Sequence, residues 1–383
     1  MYLHPPKSTW DFHNAFQSKT AIGLAVSLGI LPWLWMIGIK ANPLIKSIRF
    51  PIAVVLAMGL LTLGGFLLST TKATWYFVEW AKIRTPNPSF GRNTLFWEQR
   101  NFEQAGSPDA KTKVVIVGSS QPNQGFSLNW LEMACQDIRF EKNCLAGFGP
   151  MQYPFLNNRI SERRPQIVVC HLSEFDFFRE DAVPIERLRW AATLSGTKTV
   201  FQTLTAYQAW KNRGALGDLA FSSVIPYWRH RDHFRRTLFG YWWNKSESPK
   251  VDSDQPTPLA VSSTLDEAIF FLKKNIGRKE LVEANFASFH CFAQQLKQQH
   301  VKLIVVEGQV HPNARRVYDT EHLQQETRMR LKAMATELEF VFFETNQMPT
   351  FTPADFADAY HLNDDGRRKL SDFLAEHLKM ENN

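Results

Sequence analysis

Five strand candidates, four of them short apolar runs, alternate with helical segments apart from one long interruption between the third and the fourth, and they set the strongest limit on how this chain can fold. They are KVVIV (113–117), the stretch from Arg139 to Leu145, IVVCHL (167–172), VKLIVV (301–306) and FVFFE (340–344). Between and after them, amphipathic patterns predict helices over about 127–136, 152–163, 281–299, 320–337 and 364–380, the last capped by Asn363 or Asp364. Strands that are apolar throughout, rather than alternating, must be covered on both faces. Strand and helix in alternation therefore imply a mainly parallel sheet with helices on each side. Functional residues of such sheets gather at the carboxyl ends of the strands.

The N-terminal region has a different character. After a tail (1–20), residues 21–39 and 51–71 contain no charged side chain, and each is long enough as a helix to span a hydrocarbon core. The two predict a transmembrane hairpin, with Trp33, Trp35, Trp75, Tyr76 and Trp80 as interfacial anchors. No small-x-small cleavage site follows the first run, so a retained hairpin is expected rather than a signal peptide. A connector (72–110) then leads into the α/β region. Lys7, Lys19, Lys72, Lys82 and Arg84 lie on one side of the hairpin and Lys40, Lys46 and Arg49 in its loop, a distribution that leaves orientation undecided.

A net charge of +7, scattered along the chain, gives no nucleic-acid footprint, and no nucleic-acid motif accompanies it. No cofactor motif is present. No metal site is expected either: the four cysteines lack metal-site spacing, and His290 and Cys291, adjacent on a helix, cannot face one ion. Cys170, inside an apolar run, is expected in the core. An oxidising compartment would allow a Cys135–Cys144 disulfide.

Three positions carry chemistry. The first strand ends in Gly118-Ser119-Ser120, a turn able to present a serine Oγ above the sheet and to aim backbone N–H groups at an oxyanion. Near the C-terminus, Asp358-Ala359-Tyr360-His361 places a carboxylate three residues before a histidine, the pairing a general base requires. After the second strand, Asn143 to Pro150 contains Gly147 and Gly149, which let a backbone N–H approach a reacting group. Taken singly, these are also the forms of an ordinary βα loop, an Asx turn and a plain turn.

Their order resembles the SGNH, or GDSL-like, hydrolase and acyltransferase family over about 113–180 and 281–380. The resemblance implies a flavodoxin-like five-stranded α/β fold. It makes Ser120 the nucleophile, His361 the base and Asp358 its partner, with the N–H groups of Ser120 and Gly147 as oxyanion donors and Gly149 as the other candidate. Ser119 stands where the family often has Asp. Asp176 and His311, each just past a strand, are expected at the pocket. The third block departs from the family: Ser173-Glu174-Phe175-Asp176 puts Phe175 where an Asn would donate to the oxyanion. Losing one such donor typically costs about 2.7–4 kcal/mol of transition-state stabilisation.

The Gly-Ser-Ser turn, the run LAGFGPMQYP, the hydrophobic-Asp-Phe third block and the N-terminal anchor resemble cell-envelope polymer-modifying members of that family. Those members include the proteins of teichoic-acid D-alanyl transfer and alginate O-acetylation. This implies a domain outside the cytoplasmic membrane of a bacterium, near lipid and a membrane-bound O-acyltransferase, acting on an acylated glycan or another acyl donor. The α/β region is then divided into 111–182 and 271–383 by a helical or loop insertion (183–270). Within it, residues 225–245 mix Arg229, Arg231, Arg235 and Arg236 with Trp228, Tyr241, Trp242 and Trp243, the composition of a lid or docking surface. Two alternatives stand beside the esterase reading: a catalytically weak accessory protein of an acyltransferase, and a membrane-bound lipase or thioesterase.

Overall fold

Apolar residues on both faces of consecutive strands produce a sheet with two cores, one on each side. The computed structural model describes residues 112–145, 147–224, 228, 265–319 and 322–382. Its strands are β1 (Thr112–Gly118), β2 (Ile138–Cys144), β3 (Ile167–Leu172), β4 (Lys302–Glu307) and β5 (Val341–Phe343). All neighbouring pairs are parallel, in the order β2-β1-β3-β4-β5, the flavodoxin-like arrangement. Alternate side chains divide the cores. Val115, Val117, Val168, Cys170, Leu303 and Val305 pack on one face; Val114, Ile116, Val169, Ile304 and Val306 pack on the other.

The first face is covered by α10 (Val282–Gln298) and α12 (Leu323–Leu338), together with a 3-10 helix at Pro150–Leu156 that continues into α3 (Asn157–Arg163). The second face is covered by α2 (Leu128–Ala134) and the C-terminal α13 (Asp364–Asn382). Side chains bind α13 to the start of the domain. Arg367 Nε donates to the Gln124 carbonyl at 2.6 Å, Trp130 Nε1 to Asp372 at 2.6 Å, and the Ser127 N–H to Ser371 Oγ at 2.9 Å. Asn363 caps α13 by accepting the N–H groups of Asp365 and Gly366, each at 3.1 Å.

Short helices fill the remaining described segments: α1 (Ser120–Gly125), α4 (Glu174–Phe178), α5 (Ile185–Ala191), α6 (Leu194–Thr203), α7 (Ala206–Lys211), α8 (Arg213–Val224), α9 (Leu265–Asn275) and α11 (Pro312–Tyr318). Leu188, Ala191, Val200, Leu216 and Leu219, from α5, α6 and α8, pack on Met151 and Phe155 of the 3-10 helix. The described residues fall almost wholly within one compact unit, Ser89–Ala220 with Val251–Asn383.

Several expectations need correction. The predicted helix over 152–163 begins as a 3-10 helix because Pro154 lies within it and removes a backbone donor. All four cysteines are free thiols. Cys135 Sγ faces the Ala375 carbonyl and Cys144 Sγ the Ile116 carbonyl, so no Cys135–Cys144 disulfide forms. Helix α9 crosses the expected boundary at 270/271. The charge-free runs at 21–39 and 51–71 lie outside the described residues, as does the basic and aromatic stretch at 225–245 apart from Trp228. Among the described residues, no helix is long and apolar enough to cross a membrane.

Candidate active site

The strand order reverses direction at β1, since β2 lies on one side of it and β3 on the other. A crevice opens at such a point, outside the carboxyl ends of the strands. Gly118 ends β1 with φ +146°, and a Cβ there would meet Pro122 Cγ at 2.7 Å. Glycine is what allows the chain to turn sharply enough for a helix to start two residues later. Ser119 is the N-cap of α1, its hydroxyl accepting the Gln121 N–H at 3.3 Å. Ser120 is therefore the first helical residue, with its Oγ at the mouth of the crevice.

The other half of the site comes from the turn before α13. The Ala357 N–H bonds to the His361 carbonyl at 2.8 Å, and Phe356 bridges Leu362, closing a small loop. Asp358 organises that loop from within. Its Oδ1 accepts the N–H groups of Tyr360 (2.9 Å) and His361 (2.8 Å), and its Oδ2 accepts from His361 Nδ1 at 2.7 Å. With Nδ1 donating, Nε2 is left as an acceptor, and Ser120 Oγ lies 2.8 Å from it. Asp358 and His361 are both buried. Burial pushes the Asp358 pKa up, but the hydrogen bond and charge of His361 and the two backbone donors outweigh it and hold the carboxyl below its ordinary value. Asp358 is thus a carboxylate facing one specified tautomer.

A cleft of about 570 Å³ opens beside Ser120. Ser119, Gly147 and Asp176 line it with Ser120; Gly149 and His311 do not. The Gly149 N–H is taken by Gln152 Oε1 at 2.7 Å, which leaves Gly147 as the candidate donor of its loop. His311 instead caps α11, accepting the Asn313 N–H at 3.2 Å, with its ring edge-on to Phe356. Burial lowers its pKa.

Phe175 is a wall of the cleft. Its ring stacks on Tyr360 with centroids 6.3 Å apart, and Tyr360 in turn packs on His361 at 4.3 Å. Burial and the neighbouring Asp358 push the Tyr360 pKa up to about 12, against a smaller opposing pull from Arg179, so the phenol keeps its proton. Arg179, Arg187 and Arg278 also line the cleft. None of the three arginines was singled out by the sequence, where nothing but charge marks them. Among the described residues, no group of His, Cys, Asp and Glu converges as a metal site would.

Asp176 lines the cleft but is structural in its bonding. Its Oδ2 takes the Ser173 N–H (2.8 Å) and hydroxyl (3.1 Å), capping α4. Burial raises its pKa from 3.8 to about 6, although Arg179 and the two Ser173 bonds act in the opposite direction. Between those values the folded state holds a proton that the unfolded state has lost, so stability falls as pH rises from 4 to 6. The interval corresponds to roughly 3 kcal/mol. Asp176→Asn keeps an acceptor for Ser173 and removes the titration. The variant should therefore gain on the wild type by about that amount across the window, read from urea melts at pH 4, 5, 6 and 7. A difference independent of pH would contradict the burial argument.

Residues 264–378 match the family described as "Protein of unknown function (DUF1574)". No curated protein matches the chain. Among solved structures, a candidate acylhydrolase from Bacteroides fragilis NCTC 9343 is 10% identical, with a TM-score of 0.36, covering 77% of this chain and 99% of its own. A GDSL-like lipase from Bacteroides thetaiotaomicron VPI-5482 is 11% identical, with a TM-score of 0.35, covering 76% and 98%. A catalytic mutant of an acetylxylan esterase from Geobacillus stearothermophilus is 12% identical, with a TM-score of 0.34, covering 72% and 96%.

Proposed function

We propose that this chain is a serine acyl-ester enzyme with Ser120 as nucleophile, His361 as general base and acid, and Asp358 as the group that orients and stabilises the imidazolium. The observation that carries the reading is the continuous relay from Ser120 Oγ through His361 to Asp358, at 2.8 and 2.7 Å, opening on a cleft. Ser120 Oγ attacks the ester carbonyl while its proton passes to His361 Nε2. The tetrahedral oxyanion is met by the N–H groups of Ser120 and Gly147. Collapse expels the alcohol, which takes the proton from His361 and leaves an acyl-serine. His361 then deprotonates water, giving hydrolysis, or a sugar hydroxyl, giving transfer.

The finer reading is a membrane-anchored enzyme of a bacterial cytoplasmic membrane, its domain facing outward, that adds or removes O-acyl groups on a cell-envelope glycan. Its supports are the two charge-free runs before residue 72 and the family resemblance of the motifs. A second reading, an accessory protein of a membrane-bound O-acyltransferase, is favoured by one observation: an aromatic wall, Phe175, stands where a side-chain donor would complete the oxyanion site. Labelling with a fluorophosphonate decides between them. Detergent-purified protein should be modified at Ser120, as mapped by peptide mass spectrometry, and His361→Ala should abolish the reaction. Folded wild-type protein that takes no label would sink the enzymatic reading and leave the accessory one.

A further inference from the structure

The N–H of Gly147 can serve an oxyanion only if its turn is held still, and the turn has an unusual clamp. The Phe148 N–H closes it on the Leu145 carbonyl at 2.9 Å, with Gly147 at the third position and φ +71°. The closing hydrogen bond of such a turn does not use the N–H of its third residue. One end is tied to the nucleophile's own strand: the Leu145 N–H bonds to the Gly118 carbonyl at 2.9 Å, two residues before Ser120. The far side is held by a side chain. Arg179 Nη2 donates to the Gly147 carbonyl at 2.6 Å.

Arg179 is suited to this task. It is 9% exposed, its Cζ lies 5.6 Å from the Phe175 ring centroid, and its Nε is 3.4 Å from Glu180. The guanidinium is thus fixed by a ring, a carboxylate and a carbonyl, and little of its freedom remains to be lost. Arg187 covers the same glycine, its Cζ 3.0 Å from where a Gly147 Cβ would lie.

We propose that Arg179 is a positioning residue for the oxyanion site, clamping the Gly147 turn so that its N–H stays aimed into the cleft beside Ser120. The proposal rests on the acyl-ester reading. Displacement of a reacting or stabilising group by about 1 Å can cost about 100-fold in rate. Loss of the clamp should therefore lower turnover while leaving ground-state binding largely intact.

The test uses full-length protein in detergent, with p-nitrophenyl acetate as substrate and phenylboronic acid as a mimic of the tetrahedral state. Arg179→Met should lower kcat by about 10- to 100-fold, weaken boronate binding by a matching factor and change KM by less than about two-fold. Arg179→Lys, still able to donate to the Gly147 carbonyl, should recover part of both losses. Unchanged kcat in Arg179→Met, or a fall in kcat with boronate affinity unaltered, would overturn the proposal. If Arg179→Met fails to fold, Arg179→Gln is read by the same two measurements: parallel losses in kcat and boronate binding support the clamp, and wild-type values for both overturn it. Wild-type turnover that survives Ser120→Ala would instead overturn the acyl-ester reading and this inference with it. Turnover lost in Ser120→Ala but kept in Arg179→Met would remove the inference alone.

Discussion

Asp358→Asn is expected to lower kcat on a simple ester by about 10⁴-fold with little change in fold. The reason is the division of labour between the two carboxylate oxygens. Oδ1 holds the N–H groups of Tyr360 and His361, and Oδ2 faces His361 Nδ1. An asparagine has one oxygen, and the two backbone donors keep it. Its NH₂ group then points at Nδ1, where two donors cannot meet. The imidazole responds by moving its proton to Nε2, the atom that must accept from Ser120. The base is lost through its tautomer rather than through its position. Circular dichroism and urea melts should remain near those of the wild type while the ester assay fails. A variant with kcat within about ten-fold of the wild type would show that Asp358 does not set the tautomer.

Gly118→Ala is expected to lose roughly 2–5 kcal/mol of stability and most of the esterase activity together. At φ +146° the backbone lies in a region that a side chain strains, and the new methyl would fall 2.7 Å from a proline ring that cannot rotate away. Relief requires either the end of β1 or the start of α1 to move, and Ser120 moves with both. Denaturant titration measures the first effect and p-nitrophenyl acetate turnover the second. Wild-type stability would mean that α1 can shift without resistance, contrary to its packing.

The third strand was the most legible because its burial is uniform: IVVCHL appears in the structure as β3 over the same six residues. Ser120, His361 and Asp358 could be picked out because each sits at an element boundary, where a turn is readable. Helix α1 was not legible. Its sequence, SQPNQG, has no apolar periodicity, and what holds it is remote: Lys142 on β2 bonds to the Asn123 carbonyl at 2.6 Å and the Phe126 carbonyl at 2.5 Å. The choice between Gly147 and Gly149 was undecidable for a similar reason, since it turns on where the Gln152 side chain points. Arg179 lies in a run of aromatics and acids, and its partner is a backbone carbonyl 32 positions earlier, a contact no spacing rule encodes.

The nucleophile and its base stand 241 positions apart, with four of the five strands of the sheet between them. As the chain leaves the ribosome, the serine emerges long before the loop that will activate it. Until that loop arrives, the hydroxyl of Ser120 is chemically ordinary. Only when the last helix docks, through Arg367, Trp130 and Ser371, does the imidazole reach Ser120. The proposed enzyme is thus born latent. Under the proposed function, a chain that stops before His361 would carry Ser120 without its base and should leave esters untouched.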